Sequence, residues 1–292
     1  MKRWQAIGCL ALIGAAWGIT QPFSKIAVSE GYRHFGLIFW QFVIAVIILG
    51  VINLRQGGRL PLGARQIRVY VIIAIIGTLL PNAAGYEAAR HLPAGILSIL
   101  ISTVPMIAFP IALAMGNDRF SWRRLAGLCV GLAGVILIVA PETSLPDRAA
   151  LVFVPVALIA SLFYAIEGNL VAKWGDVGAD AIQILLGASL IGIVLAVPLA
   201  LITNSWITPQ FPLKLPDYAL MASSVFHALA YAGYVWLIAR VGPTFTAQVG
   251  YMVTGFGILW AMLLLGESYS GWIWAALALI MVGVTLVKPR EA

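Results

Sequence analysis

The chain is short of charge, of cysteine and of lysine, and each shortage closes off a class of protein. Only 10% of its 292 residues are charged, against roughly 25% in a soluble domain, while 62% are hydrophobic. A soluble globular domain is excluded. The two cysteines, Cys9 and Cys129, fall inside apolar runs, so no disulfide framework is implied. None of the five lysines follows a glycine, which removes the Gly-Lys-Ser/Thr phosphate loop and ATP hydrolysis by that route. The three histidines are scattered, and no HExxH or CxxC spacing occurs, so neither a metal centre nor a cofactor is expected. No nucleophile sits beside a base or metal cluster, and an enzyme is not expected. No long acidic or basic relay runs through the apolar segments.

What is present is apolar sequence in lengths that fit a bilayer. About 20 residues cross the hydrocarbon core as a helix, and ten such stretches are read: 5–28, 33–54, 66–88, 91–115, 121–140, 151–173, 178–203, 217–239, 242–265 and 271–288. The basic N-terminus followed by an apolar stretch has the look of a signal peptide. The polytopic chain behind it makes that stretch the first span. An all-α polytopic membrane protein is the expected fold class.

The net charge of +7 is unevenly placed. With the N-terminus in the cytoplasm, the inner side collects thirteen basic residues: Lys2, Arg3, Arg55, Arg59, Arg65, Arg68, Arg119, Arg123, Arg124, Lys173, Arg240, Lys288 and Arg290. The outer side holds five: Lys25, Arg33, Arg90, Arg148 and Lys214. Such an excess sets topology. Both termini are therefore expected in the cytoplasm of a bacterial inner membrane. The charge does not signal a nucleic-acid partner.

The chain also repeats itself. AARHLPAG at 88–95 and IARVGPTF at 238–245 align Arg90 with Arg240 and Pro93 with Pro243 at an offset of 150, and Gly116 with Gly266 and Trp122 with Trp272 follow. Two halves are read, 1–145 and 146–292, of five spans each. Five is odd, so the second half must insert upside down. Inverted repeats of this kind are a transporter signature, with the substrate site near the midplane and the halves rocking about it.

Polar residues obey the same symmetry. The first span carries Trp17, Gln21, Ser24 and Lys25 on one helical face; the third, Thr78, Asn82 and Tyr86; the fourth, Ser98 and Ser102. Their counterparts carry Ser161, Tyr164 and Glu167 in the sixth, Ser224, His227, Tyr231 and Tyr234 in the eighth, and Thr244, Gln248 and Tyr251 in the ninth. Spans two, five, seven and ten are nearly bare. A carboxylate in hydrocarbon is costly, so Glu167 is expected to face a central cavity with Trp17, Gln21, Thr78, Asn82, Tyr86, Ser102, Tyr164, His227, Tyr231, Tyr234, Gln248 and Tyr251. Against this stand plainer readings: Ser24, Ser98 and Ser102 can bond back to their own helix, His227 can be a packing residue, and Glu167 can tie two helices together. Trp4, Trp206, Trp272 and Trp274 read as interfacial anchors. Pro22, Pro81, Pro105, Pro110 and Pro243 can break helices, and Pro93, Pro105 and Pro243 are the candidate hinges. GAAWG at 14–18 and GLCVG at 127–131 fit a small-xxx-small pattern, expected to serve contacts within one monomeric chain.

WGITQPFSKIA, the block from LPAGILSILISTVPMIAFP to LAGVILI, and its second copy from GPTFTAQVGYMVTGFG to MVGVTLV resemble the EamA-type module of the drug/metabolite transporter superfamily. The resemblance covers the chain as two copies. Its Gly-Glu element is intact only in the second, as Gly266 and Glu267, because Asn117 stands in its place in the first. The resemblance implies ten helices in an inverted five-plus-five arrangement and export of small metabolites, amino acids among them. The four-span exporters of that superfamily carry a glutamate in the first span, where this chain has Thr20 and Gln21. The expected partners are a small-molecule substrate and the lipid bilayer. A drug or quaternary-amine exporter is the alternative within transport, and a non-transporting receptor or scaffold the alternative outside it.

Overall fold

The computed structural model describes residues 2–140, 147–175, 177–209, 211–246 and 248–287. Lys288, Arg290 and the expected boundary between the halves at 145/146 lie outside the described residues. The described chain is helical: α1 (Arg3–Gly18), α2 (Thr20–Ser29), α3 (His34–Arg55), α4 (Ala64–Ile72), α5 (Leu80–His91), α6 (Ala94–Ile101), α7 (Val104–Met115), α8 (Trp122–Val139), α9 (Phe153–Trp174), α10 (Ala181–Ile202), α11 (Leu215–Val241), α12 (Pro243–Thr246), α13 (Val249–Leu265) and α14 (Gly271–Val287). Eight stretches are long and apolar enough to cross a membrane: Trp4–Ser29, His34–Arg55, Ala64–His91, Ala94–Met115, Trp122–Val139, Arg148–Trp174, Ala181–Ile202 and Leu215–Val241. The places of the ninth and tenth expected spans are taken by shorter apolar helices, Val249–Leu265 and Gly271–Val287. The ninth is shorter than expected because its first turn, α12, is set off from α13.

Prolines explain most interruptions. Pro22 offers no N–H to the carbonyl of Gly18, and α1 gives way to α2 at Ile19. Pro81 would press on the carbonyl of Gly77. The chain widens there into a π-helical segment, Ile73–Leu79, in which the Leu80 N–H reaches back five residues to Ile75 O. Pro105 starts α7, and Ser102 and Thr103 separate it from α6. Hydroxyls take up carbonyls beside this break: Ser102 Oγ donates to Ile99 O at 2.6 Å, Thr103 Oγ1 to Leu100 O at 2.6 Å, and Ser161 Oγ of α9 to the same Leu100 O at 3.0 Å. Pro110 behaves otherwise, for α7 runs through it unbroken.

The two halves treat matching positions alike. Gly116 and Gly266, 150 residues apart, end α7 and α13 in the left-handed region at φ 73° and 65°, where a side chain would be strained. Helix contacts follow the same exchange. Repeat partners pack directly on each other, α8 on α14 and α3 on α10. The packing of α1 on α13 is matched by α9 on α7, and that of α11 on α1 and α2 by α9 on α5.

Glycines close the α8–α14 contact. A Cβ on Gly283 would lie 2.6 Å from Gly127 O and 2.8 Å from Gly131 N, and one on Gly127 would lie 2.7 Å from Gly283 O. A Cβ on Gly18 would meet α13 in the same way, 2.7 Å from Gly257 N. Both small-xxx-small stretches thus serve contacts within the chain. The obstructing atoms are backbone and cannot rotate aside, so Gly283→Ala is expected to cost about 1–3 kcal/mol through overpacking. Gly255, with open space around it, should accept alanine with no loss or a small gain. Thermal unfolding of the purified variants measures both. Equal melting of the two would show that the α8–α14 contact is not tight.

Candidate functional site

The site is assembled from the helix breaks and the helices facing them. Trp17 lies one turn before the Pro22 break, and its Nε1–H donates to His227 Nδ1 of α11 at 3.1 Å. An imidazole that accepts at Nδ1 carries its proton, when neutral, on Nε2. The indole also meets α11 edge-on at His227, Tyr231 and Tyr234, with ring centroids 5.8, 6.4 and 5.7 Å away. Positions 227, 231 and 234 fall on one helical face by their spacing, which is why a single tryptophan reaches all three.

A second network runs from α9 to α3. Tyr164 donates its hydroxyl proton to Asn82 Oδ1 at 2.8 Å, Asn82 Nδ2 donates to Gln41 Oε1 at 3.0 Å, and the Tyr86 hydroxyl donates to the same Gln41 oxygen at 3.1 Å. One turn along α9 from Tyr164, the Glu167 carboxylate lies against Gly77 in the π-helical segment. Any side chain at 77 would collide with it. Tyr164, beside Glu167 on the same helix, carries the hydroxyl that enters the Asn82–Gln41 chain. Among the described residues no hydrogen bond or ion pair holds that carboxylate, and its oxygens are not sealed off.

Other residues singled out in the sequence take varied places. Gln21, on α2, is half-buried, and its side chain makes no hydrogen bond among the described residues. Thr78 is half-buried in the π-helical segment. Ser102 spends its hydroxyl on its own helix, and Ser98 does the same on Ala94 O at 3.2 Å. Gln248 is exposed ahead of α13. The Tyr251 hydroxyl lies 3.1 Å from Thr285 Oγ1 on α14, on a different side of α13 from the Trp17 contact. Pro93 precedes α6 and Pro105 opens α7; Pro243 begins α12, and its side chain is outside the described residues.

Two participants escaped the sequence reading. Gln41 belongs to the second expected span, read there as nearly bare, yet it is buried and accepts two hydrogen bonds. Its one signal is an amide inside the run FWQFV. Gly77 gave a weaker one, a glycine four residues before a proline.

Glu267 lies at the edge of this assembly. Its Oε1 accepts from Ala94 N at 2.7 Å and its Oε2 from Gly95 N at 3.1 Å, and the Tyr269 hydroxyl donates to Oε2 as well. The second half thus caps the first turn of α6 in the first half. Burial, and then the neighbouring carboxylate, hold the Tyr269 phenol above its ordinary range. Asn117, at the matching position, instead donates its amide to Asn169 O at 2.9 Å.

The model of the EamA-like transporter family matches residues 5–140 and again 152–288. An Escherichia coli (strain K12) protein named "Uncharacterized inner membrane transporter YedA" is 25% identical, over 96% of this chain and 89% of its own. A Streptantibioticus cattleyicolor protein named "Probable terminal-alkyne amino-acid exporter" is 23% identical, over 99% of this chain and 95% of its own. A solved crystal structure, 16% identical, covers 95% of this chain and 97% of its own with a TM-score of 0.64, a likeness of fold alone. With the family model accounting for nearly the whole sequence in two copies, the chain belongs to the EamA-like transporter family and is a multi-pass membrane transporter.

Proposed function

We propose that the protein is a secondary transporter of a bacterial inner membrane that exports small amphipathic metabolites, amino acids among them, by alternating access. In this reading ten spans form two inverted five-span halves, 1–145 and 146–292, around a central cavity. The contact pattern that survives exchange of the halves supports the two-fold relation. An odd number of spans per half then turns one half over. The uneven spread of basic residues supports a cytoplasmic place for both termini.

The observation that carries the substrate class is the Glu167 carboxylate, without a partner among the described residues and set between hydroxyl, amide and aromatic groups. An ammonium group satisfies it. The rings of Trp17, Tyr231 and Tyr234 receive an apolar body, and a substrate carboxylate finds donors in His227 Nε2–H and Gln21. The relative named as an amino-acid exporter is consistent with this choice. A quaternary amine is the second reading, favoured by the aromatic faces near a lone carboxylate. Flux of labelled amino acids into proteoliposomes tests the first reading. Efficient competition by a quaternary ammonium compound, with no amino-acid flux, establishes the second instead.

Glu167→Gln is expected to leave melting close to that of the wild type, because no bond within the described residues is lost, while transport of an ammonium substrate falls about tenfold or more, as loss of one charge contact of about 1.4 kcal/mol would give. A carboxylate that held the fold together would show the reverse, a loss of about 3–5 kcal/mol of stability. Tyr164→Phe, which strands Asn82 Oδ1, is expected to lower both properties moderately.

Topology has its own check. A reporter active only in the periplasm, fused after Ala292, should stay silent; strong activity there would overturn the ten-span arrangement.

A further inference from the structure

A groove opens on the lipid-facing surface where the first turns of α1 meet the last turns of α11. Its volume is about 580 Å³, and Trp4, Gly8, Cys9, Leu12, Trp236 and Arg240 line it together with Gln5. Gly8 forms open floor, since a Cβ there would meet nothing within 4 Å. Trp4, Leu12 and Trp236 are exposed. The apolar part therefore runs along the helix toward the membrane interior, while the head of the groove is polar and lies at the end of the bundle that carries the N-terminus.

Arg240 gives this groove a sign. Its guanidinium sits over the Trp236 ring, 4.5 Å from the centroid, and no carboxylate pairs with it among the described residues. Its repeat partner shows the contrast. Arg90 has Glu87 one turn away at 3.4 Å, whereas three residues before Arg240 the chain has Leu237, fully buried. One arginine is neutralised within the chain, and the other offers its charge outward. Gln5 adds a donor: its Oε1 is occupied by the Lys2 N–H at 3.0 Å, which leaves its Nε2 hydrogens at the groove's head. Lys2, exposed, caps the same end of α1.

We propose that this groove is a binding site for an anionic phospholipid of the leaflet on the N-terminal side, with the phosphate on Arg240 and the Gln5 amide and an acyl chain along Gly8, Cys9 and Leu12. Each part of the groove answers one part of that molecule. A guanidinium grips phosphate by two parallel N–H bonds. Paired tryptophans suit the level of the headgroups, and the trough below them is apolar and open to the bilayer. Basic pockets between membrane helices bind acidic headgroups for the same reasons. The inference is independent of the substrate and of Glu167, because none of Trp17, His227, Tyr231, Tyr234 and Glu167 lines the groove.

The test is native mass spectrometry of the purified full chain titrated with phosphatidylglycerol and with phosphatidylcholine of identical acyl chains. The wild type should favour phosphatidylglycerol by about fivefold or more, the worth of one cation near an anionic surface. Arg240→Gln should bring the two lipids within about twofold of each other, and Arg240→Lys should keep most of the preference. Gly8→Phe fills the trough without displacing a neighbour and should weaken both lipids. Soluble glycerol phosphate at millimolar concentration should not displace the bound lipid. An unchanged preference in Arg240→Gln, wild-type binding by Gly8→Phe, or displacement by glycerol phosphate would each overturn the proposal. Thermal unfolding of each variant confirms that it is folded, and Gln5→Leu, which removes the second donor, gives the same reading should Arg240→Gln fail to fold.

Discussion

Hydrocarbon offers no hydrogen bonds, so a chain that crosses it must satisfy its own backbone. This fold depends on that constraint most visibly where it is strained. Helices break or widen around Pro22, Pro81 and Pro105, and each break frees carbonyls that water would otherwise take up. Beside Pro105 the hydroxyls of Ser102, Thr103 and Ser161 do so. One of these comes from α9, a helix of the other half, and the break and its neighbour therefore hold each other in place. Beside Pro81 the helix widens to a π turn, which lets Leu80 reach Ile75.

The same positions explain why chemistry gathers where it does. A widened or broken helix presents a different face from the one a regular helix would show. Trp17 stands next to the first break, and Gly77 lies inside the widened segment with the Glu167 carboxylate against it. Helices without breaks do the other work. On the side of α8 and α14, glycines bring backbones into contact.

Much of this could be read in the sequence, and the exceptions have physical causes. Long apolar runs located eight stretches within a few residues of their observed ends, because length and hydropathy are what a bilayer selects. The symmetry of Gly116 with Gly266 was visible as spacing and reappears as matching left-handed caps. Gln41 was hidden because one amide in an apolar run leaves no periodic trace, and only the fold brings Asn82 and Tyr86 to it. The π-helical segment was hidden because periodicity assumes a constant turn. Ser98 and Ser102 were open between two roles on sequence alone, since a hydroxyl's partner depends on its rotamer. Tyr251 sat in a plausible stripe, but the rotation of α13 turns it toward Thr285.

The cap that Glu267 places on α6 changes how the first half should be thought of as a mechanical body. The two amides at the head of α6 have their acceptor in the loop between α13 and α14, and Tyr269 anchors the same carboxylate from the other side. Pulling that loop from α6 would strand two amides and a charge together. By covalent order α6 belongs to one half, but at this end it is clamped to the other. In the alternating access proposed above, the give between the halves would then fall elsewhere, at the broken middle between α6 and α7, with the short α6 carried by the half it does not belong to.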